Sequence, residues 1–131
     1  MTNNMIEVAV CGAHMAGLPL NAQLTNLGGT FVKATSTSAN YKLFKLSAFN
    51  PPRPGLLRVT ENGSAIALEV WQLPIENYGK FVAGVPAPLG FGTLTLADNS
   101  TVQGFMCEAY ATQDAADISH LGGWRAYLAE V

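Results

Sequence analysis

A chain of 131 residues is one domain's worth of polypeptide, and it buries enough apolar surface to fold without disulfides. Its net charge of −2 and seven scattered basic residues exclude an electrostatic footprint for nucleic acid, and no apolar run approaches the roughly 20 residues that a membrane span requires. Charged residues make up only 12% of the chain, against about 25% in an average globular protein. A large core in a small domain accounts for this, and so does a surface that meets a partner subunit or a neighbouring domain. Met1 to Glu7 carries neither the basic region nor the apolar stretch of a secretory signal. Cys11 and Cys107 sit in apolar strand patterns as free thiols, so a soluble, cytoplasmic chain is expected.

Ile6 to Cys11 is apolar at almost every position and reads as a strand buried on both faces. Gly12 breaks the pattern. Pro19 suits the first turn of a helix with the stripe Leu20, Leu24 and Leu27, which Gly28-Gly29 ends. Thr30 to Thr37 is rich in β-branched residues and reads as a strand, as does Tyr41 to Ser47. Asn50-Pro51-Pro52-Arg53-Pro54-Gly55 reads as an extended loop barred from a sheet interior. Leu56 to Thr60 and Ser64 to Leu73 flank Glu61-Asn62-Gly63, which predicts a hairpin. Ile75, Tyr78, Phe81, Val82 and Val85 predict a helix that Pro86 and Pro88 terminate. Gly92 to Ala97 and Thr101 to Tyr110 predict a second hairpin around Asp98-Asn99-Ser100. Asp117 is placed to cap a short C-terminal helix, interrupted by Gly122-Gly123 before Trp124 to Leu128. The order β-α-β-β-β-β-α-β-β-α predicts one α+β domain, with a mixed or antiparallel sheet that can curl into a small barrel.

Several constellations are absent: a dinucleotide or Walker glycine loop, a Cys-x-x-Cys pair, a nucleophile elbow and a local metal motif. No cofactor or metal is expected. What remains is the strand-loop-helix junction Gly12-Ala13-His14-Met15-Ala16-Gly17. Its glycines allow a sharp turn and a close approach to a ligand. A helix N-terminus beyond it would favour an anion and hold His14 neutral, available to carry a proton. His14 as a cap on a backbone carbonyl is an equally simple reading. Glu69 shares a strand face with Ala67 and Trp71 and points into a partly buried cavity, or pairs across a hairpin with Arg58. Glu108, beside Cys107, has the same two readings. Tyr41 and Asn21 offer hydrogen bonds to a ligand, or serve as core-edge and turn residues. Trp71 and Trp124 are most simply core. The catalytic candidates are His14 and Glu69. The candidate ligand contacts are Gly12, Ala13, His14, Met15, Asn21, Tyr41, Arg58, Trp71 and Glu108.

Several blocks of the chain resemble the C-terminal domain of allophanate hydrolase. They are Gly12 to Asn21, Pro51 to Leu56, Glu69 to Pro74, Pro86 to Gly92, Gly104 to Glu108 and Gly122 to Leu128. The resemblance implies a γ-glutamylcyclotransferase-like fold. Gly12 matches the glycine of the substrate-holding Tyr-Gly loop in that fold, but Cys11 stands in place of the tyrosine. The cyclotransferases place a catalytic carboxylate where this chain reads Phe81-Val82-Ala83-Gly84-Val85, so the resemblance does not extend to γ-glutamyl cyclotransfer. It implies instead a small anionic carboxylate or carbamate as ligand, with help in the decarboxylation of N-carboxycarbamate as the activity. The Ser-Ser-Lys machinery of the amidase domain is absent. A free-standing homologue could also serve as an interaction module, with a separate amidase or a second copy of itself as partner.

Overall fold

The computed structural model describes residues 4–47 and 49–131. β1 (Met5–Val10) lies at the centre of a five-stranded sheet. The chain then runs through α1 (Asn21–Thr25), β2 (Thr30–Ser36), β3 (Tyr41–Leu46), β4 (Arg53–Arg58), β5 (Ala67–Pro74), α2 (Ile75–Ala83), β6 (Leu89–Thr95), β7 (Thr101–Cys107), β8 (Ala116–Asp117) and α3 (Trp124–Glu130). The larger sheet has the order β2-β5-β1-β7-β6, and β4-β3-β8 form a second sheet. β1 pairs antiparallel with β5, from Met5↔Pro74 to Val10↔Glu69, and parallel with β7 at Val8↔Gln103 and Ala9↔Gly104. The sheet is therefore mixed. Its central position explains the unbroken apolar run, since Val8, Ala9, Val10 and Cys11 are all buried.

The fold is α+β, but the sheets do not close into a barrel. The reason lies between β4 and β5. Asn62 does take the left-handed conformation that an Asn-Gly turn needs, with φ 58°. The strands on either side of it nevertheless join different sheets. β4 pairs with β3 from Leu46↔Arg53 to Tyr41↔Arg58, whereas β5 pairs with β1 and β2. The expected hairpin is therefore a crossover between layers. Arg53, Pro54 and Gly55, expected in a loop, begin β4. Pro54 is tolerated because β4 is an edge strand.

The core lies between the layers and includes Tyr41, Leu43, Leu56, Ile66, Leu73, Leu94 and Trp124, each at most 2% exposed. Burying one such leucine is worth roughly 2 kcal/mol. The two sheets touch at Gly55, where a Cβ would lie 2.7 Å from Cys107 Sγ. The second hairpin, β6–β7, forms as expected, with Leu89↔Cys107 to Thr95↔Thr101 in register. Asp117 precedes the short helical stretch Ser119–Leu121, which Gly122 and Gly123 separate from α3. It lies in β8 opposite Phe44, and its carboxylate accepts the Ser119 N–H at 2.9 Å, at the start of a 3-10 turn. No helix among the described residues is long and apolar enough to cross a membrane.

Candidate functional site

The loop after β1 is held by its own backbone. Met15 N–H donates to Gly12 O at 3.1 Å, Leu18 N–H to Met15 O at 3.0 Å and Leu20 N–H to Ala13 O at 2.8 Å. Gly17 has φ 78°, a conformation that favours glycine. Gly12 is required for a different reason: a Cβ there would fall 2.5 Å from Pro54 Cδ. α1 starts at Asn21, two residues after the expected Pro19, and spans only five residues. The helix dipole expected to act on the loop is therefore a minor contributor. The Gly12, Ala13 and His14 amides donate to none of the described residues.

His14 occupies one side of this loop and is 4% exposed. Phe105 stacks on the imidazole at 5.0 Å between centroids, and the Phe81 ring meets it edge-on at 5.4 Å. Nε2 lies 2.8 Å from Gln23 Oε1. With that amide oxygen as acceptor, Nε2 carries the proton and Nδ1 is the acceptor of the ring. Burial lowers the His14 pKa from its ordinary 6.5; the Gln23 bond opposes that shift and the Arg53 charge reinforces it. Its surroundings thus favour the neutral form through burial against aromatic rings, not through the helix dipole expected from the sequence. The loop carbonyl of His14 is not left open either, since Asn21 Nδ2 donates to it at 2.8 Å. Asn21 is therefore a support for the loop.

Arg53, at the start of β4, completes this side. With Cys11, Gly12, Ala13, His14 and Phe105 it lines a cavity of about 20 Å³. Its guanidinium lies 5.1 Å over the Phe49 ring. Its Nε is buried with no hydrogen-bond partner. Burial lowers the Arg53 pKa as well. The Cys11 thiol on the same wall is pushed up to about 12, first by burial and then by nearby Cys107, so it supplies no thiolate at neutral pH.

Glu69 faces the opposite side of the loop. Its carboxylate accepts the Ala16 N–H at 2.9 Å, the Trp71 indole N–H at 3.0 Å and an Arg125 Nη2–H at 2.8 Å. Arg125 Nη2 also donates to Ala16 O at 2.7 Å. Both backbone polar groups of Ala16 are thereby clamped between β5 and α3. Burial pushes the Glu69 carboxyl up, but these hydrogen bonds and the Arg125 charge outweigh it and hold the pKa below its ordinary 4.5. An open cavity of about 280 Å³ lies against the clamp, lined by Met15, Ala34, Leu68, Trp124 and Arg125 among others.

The remaining candidates lie elsewhere. Arg58 does not pair with Glu69. It faces Tyr41 across β3–β4 and donates to the Tyr41 hydroxyl and to Thr93 O. Tyr41 is fully buried, and its hydroxyl also accepts Thr95 N–H at 2.9 Å, so both residues tie the two sheets together. Neither lines a cavity beside the loop. Glu108 is exposed and borders a separate depression with Pro88 and Met106. Trp71 serves through its bond to Glu69, and Met15 is buried against the clamp-side cavity. Sequence reasoning missed Arg53 and Arg125. One signal was available for Arg53: it sits among prolines, and the nearest acidic residue in the chain is Glu61. Among the described residues no cluster of His, Cys, Asp or Glu is placed to hold a metal.

A mixed sheet packed on a smaller one, with a glycine loop after the central strand, defines a γ-glutamylcyclotransferase-like domain. A solved γ-glutamyl cyclotransferase superposes with a TM-score of 0.58 at 12% identity over 87% of this chain and 70% of that one, a likeness of fold alone. More specifically, residues 6–129 match the allophanate hydrolase C-terminal domain, and the chain belongs to that family. The urea amidolyase of Saccharomyces cerevisiae is 44% identical over 127 residues, covering 94% of this chain and 7% of that protein. Kluyveromyces lactis allophanate hydrolase superposes with a TM-score of 0.92 at 40% identity, over 97% of this chain and 21% of that one. The chain thus spans only a small part of these larger enzymes. A uropathogenic E. coli-specific protein superposes with a TM-score of 0.90 at 37% identity, over 100% of this chain and 99% of that one. The domain therefore also occurs free-standing.

Proposed function

We propose that this domain binds a small anionic carboxylate or carbamate on the His14 side of the loop and assists the decarboxylation of N-carboxycarbamate in urea metabolism. The observation that carries this reading is a buried neutral imidazole beside an arginine whose buried Nε has no partner. The chemistry needs both kinds of group. Loss of CO2 breaks a C–N bond, its electron pair stays on nitrogen, and a proton must reach that nitrogen. Neutral His14 carries its own proton on Nε2, so Nδ1 takes a proton from water and passes it to the substrate nitrogen, leaving hydroxide that the released CO2 consumes as bicarbonate. The uncommitted amides of Gly12, Ala13 and His14 with Arg53 hold negative charge. Phe105, with Pro54 and Leu89 on the same cavity wall, offers a departing carboxylate a less polar surround. Glu69, assigned a catalytic part from the sequence, takes a positioning part here because its oxygens are already committed. The family's place in urea amidolyases supports the choice of ligand, and a cytoplasmic location fits this reading.

The test is to supply N-carboxycarbamate continuously from allophanate with a separate amidase and to follow CO2 and ammonia. The account expects faster release with the protein present than without it, and loss of that gain in His14→Gln. Equal rates with and without the protein would overturn the catalytic part.

One observation favours a second reading, in which the domain docks with an amidase or with another copy. Phe31 and Val32 are 50% and 36% exposed on β2, an edge strand of the larger sheet. Under that reading, Phe31→Lys abolishes co-purification or self-association, and His14→Gln leaves both intact.

A further inference from the structure

We propose that Arg53 sets the charge requirement of the His14 site by pairing with one carboxylate of a small dianionic ligand. This rests on the reading of the His14 side as the ligand site and goes beyond it by naming the anchor and the ligand charge. Arg53 differs from the paired cations of the fold. Arg125 is committed to Glu69, and Lys42 Nζ lies 3.7 Å from Asp117. Arg53 has no carboxylate or hydrogen-bond partner among the described residues, and its Nε is buried. Burying a guanidinium nitrogen without an acceptor is costly, and a carboxylate answers a guanidinium with two parallel hydrogen bonds.

The placement is specific. β4 carries Arg53 to the wall where Gly12 packs on Pro54, so the guanidinium shares one cavity with Ala13 and His14. The Phe49 ring lies 5.1 Å from the guanidinium carbon and supports the head from one side. The cavity of about 20 Å³ admits one small group, so the rest of the ligand extends outward past Arg53, which is only half-buried. N-carboxycarbamate has two carboxylates on one nitrogen. The carboxylate on Arg53 is the one retained, and the other faces the aromatic wall and leaves.

Malonate, in which CH2 replaces the nitrogen, is a stable probe of this geometry, and malonamide is its neutral counterpart. Titration calorimetry, with the His14 ring resonances followed by NMR, compares both probes on the wild type, Arg53→Gln and Arg53→Lys. The expected result is malonate binding that shifts the His14 ring, weakened about tenfold or more in Arg53→Gln and less in Arg53→Lys, with no binding of malonamide. Circular dichroism shows whether each variant is folded. If Arg53→Gln is not, the malonamide comparison decides: affinity equal to that of malonate overturns the proposal. Arg53→Gln binding malonate within about twofold of wild type also overturns it, while leaving the His14 site standing. No response of wild-type His14 to malonate overturns both.

Discussion

On one face of the Gly12–Gly17 loop a carboxylate has three donors on it; on the other a guanidinium has a buried nitrogen that nothing answers. Buried Glu69 and half-buried Arg53 are charges at strand residues beside the same loop, and the sequence alone distinguishes them poorly. Their hydrogen bonds separate them. A satisfied buried charge with a salt-bridge partner is a structural element. An unsatisfied one marks a group for which the fold itself supplies no partner. The larger cavity, of about 280 Å³, lies on the satisfied face, and the one of about 20 Å³ on the unsatisfied face. Cavity size and unanswered donors point to opposite faces of the loop.

The contrast can be broken by substitution. Glu69→Ala should cost the most stability, about 3 kcal/mol, because it leaves the Trp71 indole and Ala16 amide without an acceptor; denaturant unfolding measures it. Gly12→Ala should cost about 2 kcal/mol through overlap with the Pro54 ring, and the same unfolding series checks it. His14→Gln should leave the fold in place and reduce CO2 release about tenfold, or about 1.4 kcal/mol in barrier. Arg125→Gln should cost about 1 kcal/mol, since Arg125 is half exposed and solvent screens its pairing with Glu69; a loss near that of Glu69→Ala would make the clamp stronger than its exposure implies. The smallest effect is in pH dependence. The folded state lowers the His14 pKa from 6.5, so below that value the unfolded chain binds a proton that the fold refuses. Stability should therefore fall as pH drops from 6.5 towards the folded value, with no His14 contribution above 6.5. The slope should flatten in His14→Gln.

Much of the fold around the candidate site was legible because one-dimensional signals carry it. The buried central strand, the glycine break and His14 follow from local pattern, and α2 and the β6–β7 hairpin follow from periodicity and turn residues. What the pattern could not reach was pairing at a distance. Asn62-Gly63 makes its turn, yet which sheet the next strand joins is decided by register with β1 and β2. That decision removes Arg58 from Glu69 and supplies Arg125 instead, 56 residues along the chain. Pro51 and Pro52 disguised Arg53 as a loop residue, although an edge strand tolerates the Pro54 that follows it.

The measurement that bears most directly on this account is an NMR map of backbone amides and imidazole resonances during a malonate titration. The account predicts shifts at Gly12, Ala13, His14 and Arg53, with Leu68, Arg125 and Ala126 on the clamp side unmoved. Shifts concentrated around Arg125 and Ala126, with His14 silent, would contradict it and move the ligand to the larger cavity.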